Sequence, residues 1–352
     1  MKTLPPKKGM IENSINTLLI DGNALFKTGY HGAKDEFNAN GQHIGGVYQF
    51  ITMLRKLLNE EFYHKVFVFW DGKFSGKLRF EIYKDYKGDR NKDFINGTAP
   101  VDENQLIERY MVQEYLEELS IKQLEDEVVE GDDFIAFYCK TKEDNENITI
   151  CSNDGDLCQL LEENIRIYLL HKKNYINLNN YQEYFSHKQE NSMLIKIIAG
   201  DSSDTIKGIK GVKEKTLLNL FPELADKKVE LPEILEKASF LQDERIKNKL
   251  KKLGALENIL NRVTVGCQGK DIYEINNRLV NLSVPLMTET AINNLVELRN
   301  NRLSVDDRGI KNVYNLMKRD GIDKKISNFS DDYLLPFKKL IEREKKNKYE
   351  QQ

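Results

Sequence analysis

NITICSNDGD, residues 147–156, begins as an apolar run and ends in two aspartates, Asp154 and Asp156. Its first six residues read as a short buried strand, and the polar Asn-Asp-Gly-Asp that follows marks the strand's carboxyl end. The same design occurs twice upstream. NTLLID (residues 16–21) reads as a strand ending in Asp21, and HKVFVFWD (64–71) as a strand ending in Asp71. Between those two, Val47, Phe50, Ile51, Leu54, Leu57 and Leu58 fall near helical spacing across 44–62. Helical runs are also expected at 103–119, 134–142 and 157–161, and a further strand at 165–170. Strands alternating with helices predict an α/β domain with a mainly parallel sheet.

After about residue 190 the strand signals thin and amphipathic helical runs take over. The expected layout is a flexible N-terminus (1–15), an α/β core (16–190) and a helical region (191–352). A chain of 352 residues has room for a large core domain and a smaller one. It has no apolar run of membrane-spanning length. The first thirteen residues carry Pro5, Pro6, Lys7 and Lys8 without the apolar stretch of a signal peptide. A cytoplasmic location follows as the expectation. The four cysteines form no CxxC pair and the five histidines no HxxxH or HxH pair, which argues against a disulfide framework, a zinc site and histidine-centred chemistry.

The acids carry the functional signal. Asp21 and Asp71 end strands. Glu130, Asp132 and Asp133 cluster where a helix begins, Asp154 and Asp156 follow the third strand, and Asp201 and Asp204 stand in GDSSD after an apolar helical run. In an open α/β sheet the ligand site lies beyond the carboxyl ends of the strands, so acids distant in sequence converge there. Crowded carboxylates repel one another unless protons or cations intervene. An oxygen-only donor set suits Mg²⁺ or Mn²⁺, and two such ions clamp both oxygens of phosphodiester cleavage. Taken singly, each Asp also reads as a helix cap or a solvated surface group, since Asp and Glu number 56. The recurrence at strand ends is what favours the metal site. The net charge of −3 counts against a nucleic-acid partner. Setting aside Asp21, Asp71, Glu130, Asp132, Asp154, Asp156, Asp201 and Asp204 turns the remainder positive.

LLIDGNALF (18–26), VFVFWDG (66–72), YKGDR (86–90), VEGDDFIA (129–136), SNDGDLCQL (152–160) and IIAGDSSDTIKGIKGVKEKT (197–216) together resemble the 5′ nuclease family: flap endonucleases, the 5′-nuclease domains of bacterial DNA polymerases, and bacteriophage 5′ exonucleases and RNase H. The runs occur in the family's order across about residues 16–221. The resemblance implies a PIN-like, mainly parallel sheet flanked by helices. It also implies a helical arch (about 84–105) and a C-terminal helical region with a helix-hairpin-helix-type DNA-binding module (about 197–222). It implies Asp71, Glu130, Asp132 and Asp154 around a first Mg²⁺ with Asp21 at its edge, and Asp156, Asp201 and Asp204 around a second, with Mn²⁺ able to substitute. Asp133 is either an outer ligand or a helix-start residue.

Tyr86, Lys87 and Arg90 match the foot of the arch. A Lys and an Arg three apart share one helix face and can stabilise charge on a scissile phosphate, and Tyr86 can stack on an unpaired base. Without the resemblance the same residues read as a solvated basic segment. Gly208, Lys210, Gly211, Lys213 and Lys215 match the hairpin, where glycines let backbone approach phosphates and lysines add sequence-independent contacts. Lys213 replaces the last glycine of the family's GxxGxG turn, which counts against K⁺ at that turn.

The implied function is a structure-specific 5′–3′ nuclease, an exonuclease or flap endonuclease with RNase H in range, acting in primer removal during phage-type DNA replication in a bacterial host cytoplasm. The expected partners are DNA with a 5′ flap or free 5′ end and RNA–DNA hybrid, with no membrane partner. A monomer is expected. The charged tail 341–352 is open to two readings, a contact to DNA or a replication protein, or a solvated helix end that frays. The competing readings are a non-catalytic replication scaffold, a PIN-type ribonuclease and a phosphatase on a similar core.

Overall fold

The computed structural model describes residues 14–33, 35–88, 102–264, 271–301, 308–329 and 331–349. Arg90, Cys267, most of the expected arch and the end of the charged tail lie outside these residues. Six strands form one sheet in the order β3-β2-β1-β4-β5-β6. They are β1 (Ile15–Asp21), β2 (Lys65–Asp71), β3 (Lys122–Asp126), β4 (Glu146–Ser152), β5 (Ile165–Leu169) and β6 (Asn174–Ile176). All neighbours pair in parallel except β6, which returns antiparallel to β5. The chain builds outward from β1 through β2 to β3, then restarts on the other side of β1 with β4. This reversal opens a crevice at the carboxyl ends of β1 and β4, the place where open sheets of this kind bind ligands.

Both faces of the sheet are covered, which is why its central strands read as continuous apolar runs. Along β1, Leu18 and Ile20 enter the core beneath α1 (Gly22–Gly32) and α2 (Gly45–Glu60), while Leu19 enters the opposite core. That second core lies beneath α5 (Gly131–Lys140), where Phe134 stacks on Phe69 of β2. The six-residue α3 (Lys77–Ile82) precedes the expected arch, and α4 (Glu103–Glu118) follows it. The expected helix at 157–161 is a 3₁₀ turn over Gly155–Leu160. Two strands of this sheet escaped the sequence pattern. KQLED of β3 is an edge strand of mostly polar residues, and β6 has only three.

Helices α6 (Ser192–Ala199), α7 (Glu214–Leu220), α8 (Leu231–Lys247), α9 (Gly254–Leu260) and α10 (Ile272–Val280) contribute to a third core, which also takes in Tyr83 and Tyr86. Between α6 and α7 lies a minimal antiparallel pair, β7 (Gly200–Asp201) and β8 (Ile206–Lys207). The chain then returns to the sheet. In α11 (Glu289–Asn300), Ala291 and Leu295 join the core beneath α5. Helices α12 (Ile310–Asp320) and α13 (Asp331–Tyr349) pack with α2 and α4 through Val313, Met317, Leu334 and Phe337.

Leu19 is fully buried on the central strand, whereas Leu106 on α4 is 43% exposed. Leu19→Ala should cost about 2–5 kcal/mol of stability and Leu106→Ala less than about 0.5 kcal/mol. Urea unfolding midpoints for the two variants measure the contrast, and equal midpoints would contradict it.

Candidate metal centre

Each acid at the crevice is fixed by its own element. Asp21 ends β1 and caps α1, its Oδ1 accepting from the Ala24 N–H at 2.8 Å. Its Oδ2 accepts from the buried Ser152 hydroxyl at 2.7 Å, and that hydroxyl accepts in turn from the Asp154 N–H at 3.1 Å. Asp71 ends β2 and its Oδ1 accepts from the Gly131 N–H at 2.8 Å, which ties the start of α5 to the strand. Asp154 accepts from the Asp156 N–H at 2.7 Å and starts the 3₁₀ turn. Glu130 precedes α5, and Asp132 lies in its first turn. One small cleft is lined by Glu130, Asp132, Asp154, Asp156 and Asp204 together with Arg79, Tyr86 and Lys87.

The electrostatics follow from this crowding. Burial first, and then the Asp71 charge, push Asp21 up to about 6 from an ordinary 3.8. Burial and Asp154 push Asp156 up to about 7. Asp132 is driven well above the usual carboxylate range by burial and by Asp154, Asp21, Asp71 and Glu130. Glu130 goes the other way. Burial works against its charge, but Arg79 and Lys87 override it and hold the carboxyl down at about 2. Burial likewise opposes ionisation of Asp201, and Lys196 overrides it.

Cations of the chain itself hold these acids. Arg79 donates from Nη1 to Glu130 at 2.6 Å, and Lys87 pairs with the other Glu130 oxygen. Lys196 bridges Asp156 and Asp201, the latter at 2.5 Å. Among the described residues no three acid, histidine or cysteine side chains already form a ligand set for one ion. The donor chemistry nonetheless fits Mg²⁺ or Mn²⁺. The cleft-lining acids offer oxygen donors, no histidine or cysteine among the described residues lines the cleft, and Asp21, Asp132, Asp156 and Asp204 are raised by burial and by neighbouring carboxylates, whose repulsion a divalent cation would relieve.

The packing bears on three expectations. Tyr86 is not placed to stack on a base: its ring is buried and its hydroxyl donates to Glu130 at 3.0 Å and lies 3.3 Å from Asp204. Of its two readings, Asp133 takes the helix-start place, in the first turn of α5. It is buried, both its oxygens are gripped by Arg79, and Oδ1 also accepts from the Leu286 N–H at 2.9 Å. Gly208 is demanded by chain packing, because a Cβ there would stand 2.1 Å from the Ala199 carbonyl carbon. Gly211 differs: its φ is +76° and nothing lies within 4 Å of the space a Cβ would take. Lys210, Lys213 and Lys215 are exposed beside it.

Lys87 adopts a left-handed backbone, φ 47°, and its N–H donates to the Asp204 carbonyl at 2.9 Å. The foot of the expected arch is thus bonded to the loop that carries Asp201 and Asp204. The sequence reading passed over Arg79, Ser152 and Lys196. Only Lys196 left a signal, a lone charge inside the apolar run MLIKIIA just before GDSSD.

A profile of the 5′-3′ exonuclease N-terminal, resolvase-like domain matches residues 16–189. A 5′-3′ exonuclease of Mycoplasmopsis pulmonis is 31% identical over 216 residues, covering 59% of this chain and 67% of that protein. The chain therefore belongs to the 5′-3′ exonuclease family. Thermostable DNA polymerase I of Thermus thermophilus is 28% identical over 244 residues, or 69% of this chain but only 28% of the polymerase. The chain thus spans little more than a quarter of that relative. Among solved structures, T5 5′-exonuclease with bound zinc superposes at a TM-score of 0.58 and 18% identity, covering 86% of this chain and 97% of the other. Flap endonuclease-1 from Methanococcus jannaschii superposes at 0.51 and 14% identity, covering 97% and 95%. These two share the fold.

Asp21, Asp132 and Asp156 bind protons more tightly in the folded state than unfolded. For Asp21 and Asp156 that protonation falls between about pH 7 and 4, so it favours folding and stability falls as pH rises through that window, and Asp132 acts in the same sense. Glu130, held low, acts in the opposite sense but below that window. In EDTA the melting temperature should rise as pH drops from about 8 to 5, and excess Mg²⁺ should flatten the slope. A melting temperature that climbs with pH in EDTA would contradict the raised acids.

Proposed function

We propose that this protein is a divalent-metal-dependent 5′–3′ nuclease that hydrolyses phosphodiester bonds near free 5′ ends and 5′ flaps, with RNA–DNA hybrids in its range and primer removal in phage-type replication as its setting. The observation that carries this reading is the convergence of Glu130, Asp132, Asp154, Asp156 and Asp204 in one cleft with Lys87 at its wall, in a chain of the 5′-3′ exonuclease family.

Asp71, Glu130, Asp132 and Asp154, with Asp21 at the group's edge, would hold a first Mg²⁺ or Mn²⁺, and Asp156, Asp201 and Asp204 a second. When bound, such ions activate a water and neutralise the leaving oxygen. The chain's own groups do the rest. Ser152 orients Asp21 and Asp154 at once, and Tyr86 holds Glu130 toward the cleft. Lys87 supplies positive charge beside the acids, where a scissile phosphate would need it. Arg90 is proposed to share that role on the strength of the YKGDR run alone. Exposed Lys210, Lys213 and Lys215 around Gly211 would contact duplex phosphates without reading bases. The region from 191 onward would thereby supply the duplex platform and the α/β core the chemistry.

Asp154→Asn and Asp156→Asn should each lower Mg²⁺-dependent release of 5′ fragments by at least about 10²-fold while leaving flap-DNA affinity within about threefold. Lys87→Ala should slow single-turnover cleavage more than it weakens binding. The assay uses end-labelled 5′ flap, nicked duplex, RNA–DNA hybrid and single strand, with and without EDTA. Undiminished cleavage by both aspartate variants would sink the metal assignment.

A further inference from the structure

Both carboxylate oxygens of Glu130 already pair with cations of the chain, so a metal ion that ligates it competes with them for the same negative charge. Besides the neutral Tyr86 hydroxyl, the two charged residents are held very differently. The Arg79 guanidinium is almost wholly buried. Besides Glu130 it grips both oxygens of Asp133, at 2.5 and 3.0 Å, and its Nε donates to the Leu279 carbonyl at 2.9 Å. Moving it would strip partners from two buried carboxylates and a buried carbonyl at once. The Lys87 side chain is 21% exposed and reaches Glu130 on a flexible stem. Its backbone is anchored separately by the N–H bond to Asp204, so the ammonium can swing while the main chain stays.

The second group of acids repeats the arrangement. Lys196 is 26% exposed and places its ammonium between Asp156 and Asp201. An ammonium held between two carboxylates occupies the position that a divalent ion shared by them would take. Two lysines on flexible stems and one immobile arginine thus offset charge in an acidic cleft.

We propose that Lys87 and Lys196 are exchangeable counter-ions of the cleft, displaced from their carboxylates when divalent cations enter, while Arg79 remains as the fixed partner of Glu130. The proposal rests on the metal-dependent reading above. It makes Glu130 a ligand through the oxygen that Lys87 releases and leaves the Arg79-bound oxygen committed. It also orders events: the Lys87 ammonium becomes available to a substrate phosphate only after a cation has replaced it on Glu130.

The test is amine reactivity in the full-length protein. Ammonium groups locked in ion pairs react slowly in reductive methylation with formaldehyde and a borohydride, and peptide mass spectrometry reads each lysine separately. Mn²⁺ binding is followed in parallel by paramagnetic resonance. Lys87 and Lys196 should label slowly in EDTA and about tenfold faster with saturating Mn²⁺, the factor that corresponds to ~1.4 kcal/mol of lost pairing. The exposed Lys210 and Lys215 should label at the same rate in both conditions. Mn²⁺ bound with Lys87 and Lys196 labelling unchanged would overturn the proposal alone. No Mn²⁺ bound would overturn it together with the metal-centre reading. In a second measurement, Lys196→Met removes one competitor, so the weaker Mn²⁺ site should tighten by about tenfold. An unchanged or weaker site would refute the exchange.

Discussion

Like charges crowded into one crevice are the constraint around which this molecule is arranged. Asp21, Asp132 and Asp156 are all raised by burial and by one another's neighbours, so the cleft is costly to ionise. The fold tolerates this by pinning each acid to a rigid feature. Asp21 caps a helix, Asp71 accepts from the first residue of another, and the Ser152 hydroxyl joins Asp21 to Asp154. Such bonds fix where the negative charge stands. Arg79, Lys87 and Lys196 then offset part of it.

These cations also connect distant parts of the chain. Arg79 lies on α3 before the expected arch, yet it bonds Glu130 and Asp133 at the start of α5 and the carbonyl of Leu279 on α10. Asp133 in turn receives the N–H of Leu286. The helical region is therefore fastened to the acidic cleft by hydrogen bonds as well as by the shared apolar core around Tyr83 and Tyr86. Lys87 adds a further tie through its backbone bond to Asp204. A displacement of α10 would be felt at Glu130, because a buried guanidinium cannot lose a partner without penalty.

The family assignment and the geometry support each other from independent directions. Similarity of sequence assigns the chain to the 5′-3′ exonuclease family over residues 16–189 and to relatives of which several are much longer polymerases. The packing supplies what similarity alone does not, namely which side chains stand at the cleft and which are spent on structure. Asp133 and Gly208 both lie in family-like runs, and both are committed to packing or internal bonds here.

The sequence by itself determined the parallel core and the location of its acids. Strands β1, β2, β4 and β5 and helices α2 and α4 fall within two residues of their expected bounds, because periodic apolar side chains record which faces will be buried. Asp21 and Asp71 were legible as strand ends for the same reason. Edge strand β3 and short β6 were not, since polar and brief segments carry little periodic signal. Only the tertiary structure decided what long-range partners decide. Tyr86 reads as an exposed aromatic beside basic residues until the packing of α3 against α10 buries it. Arg79, 51 residues from Glu130 and 200 from Leu279, has no local pattern that could announce either bond. Spacing along the chain encodes which face a side chain takes. It does not encode which other element will meet that face, and at this cleft that meeting sets the charge of each acid.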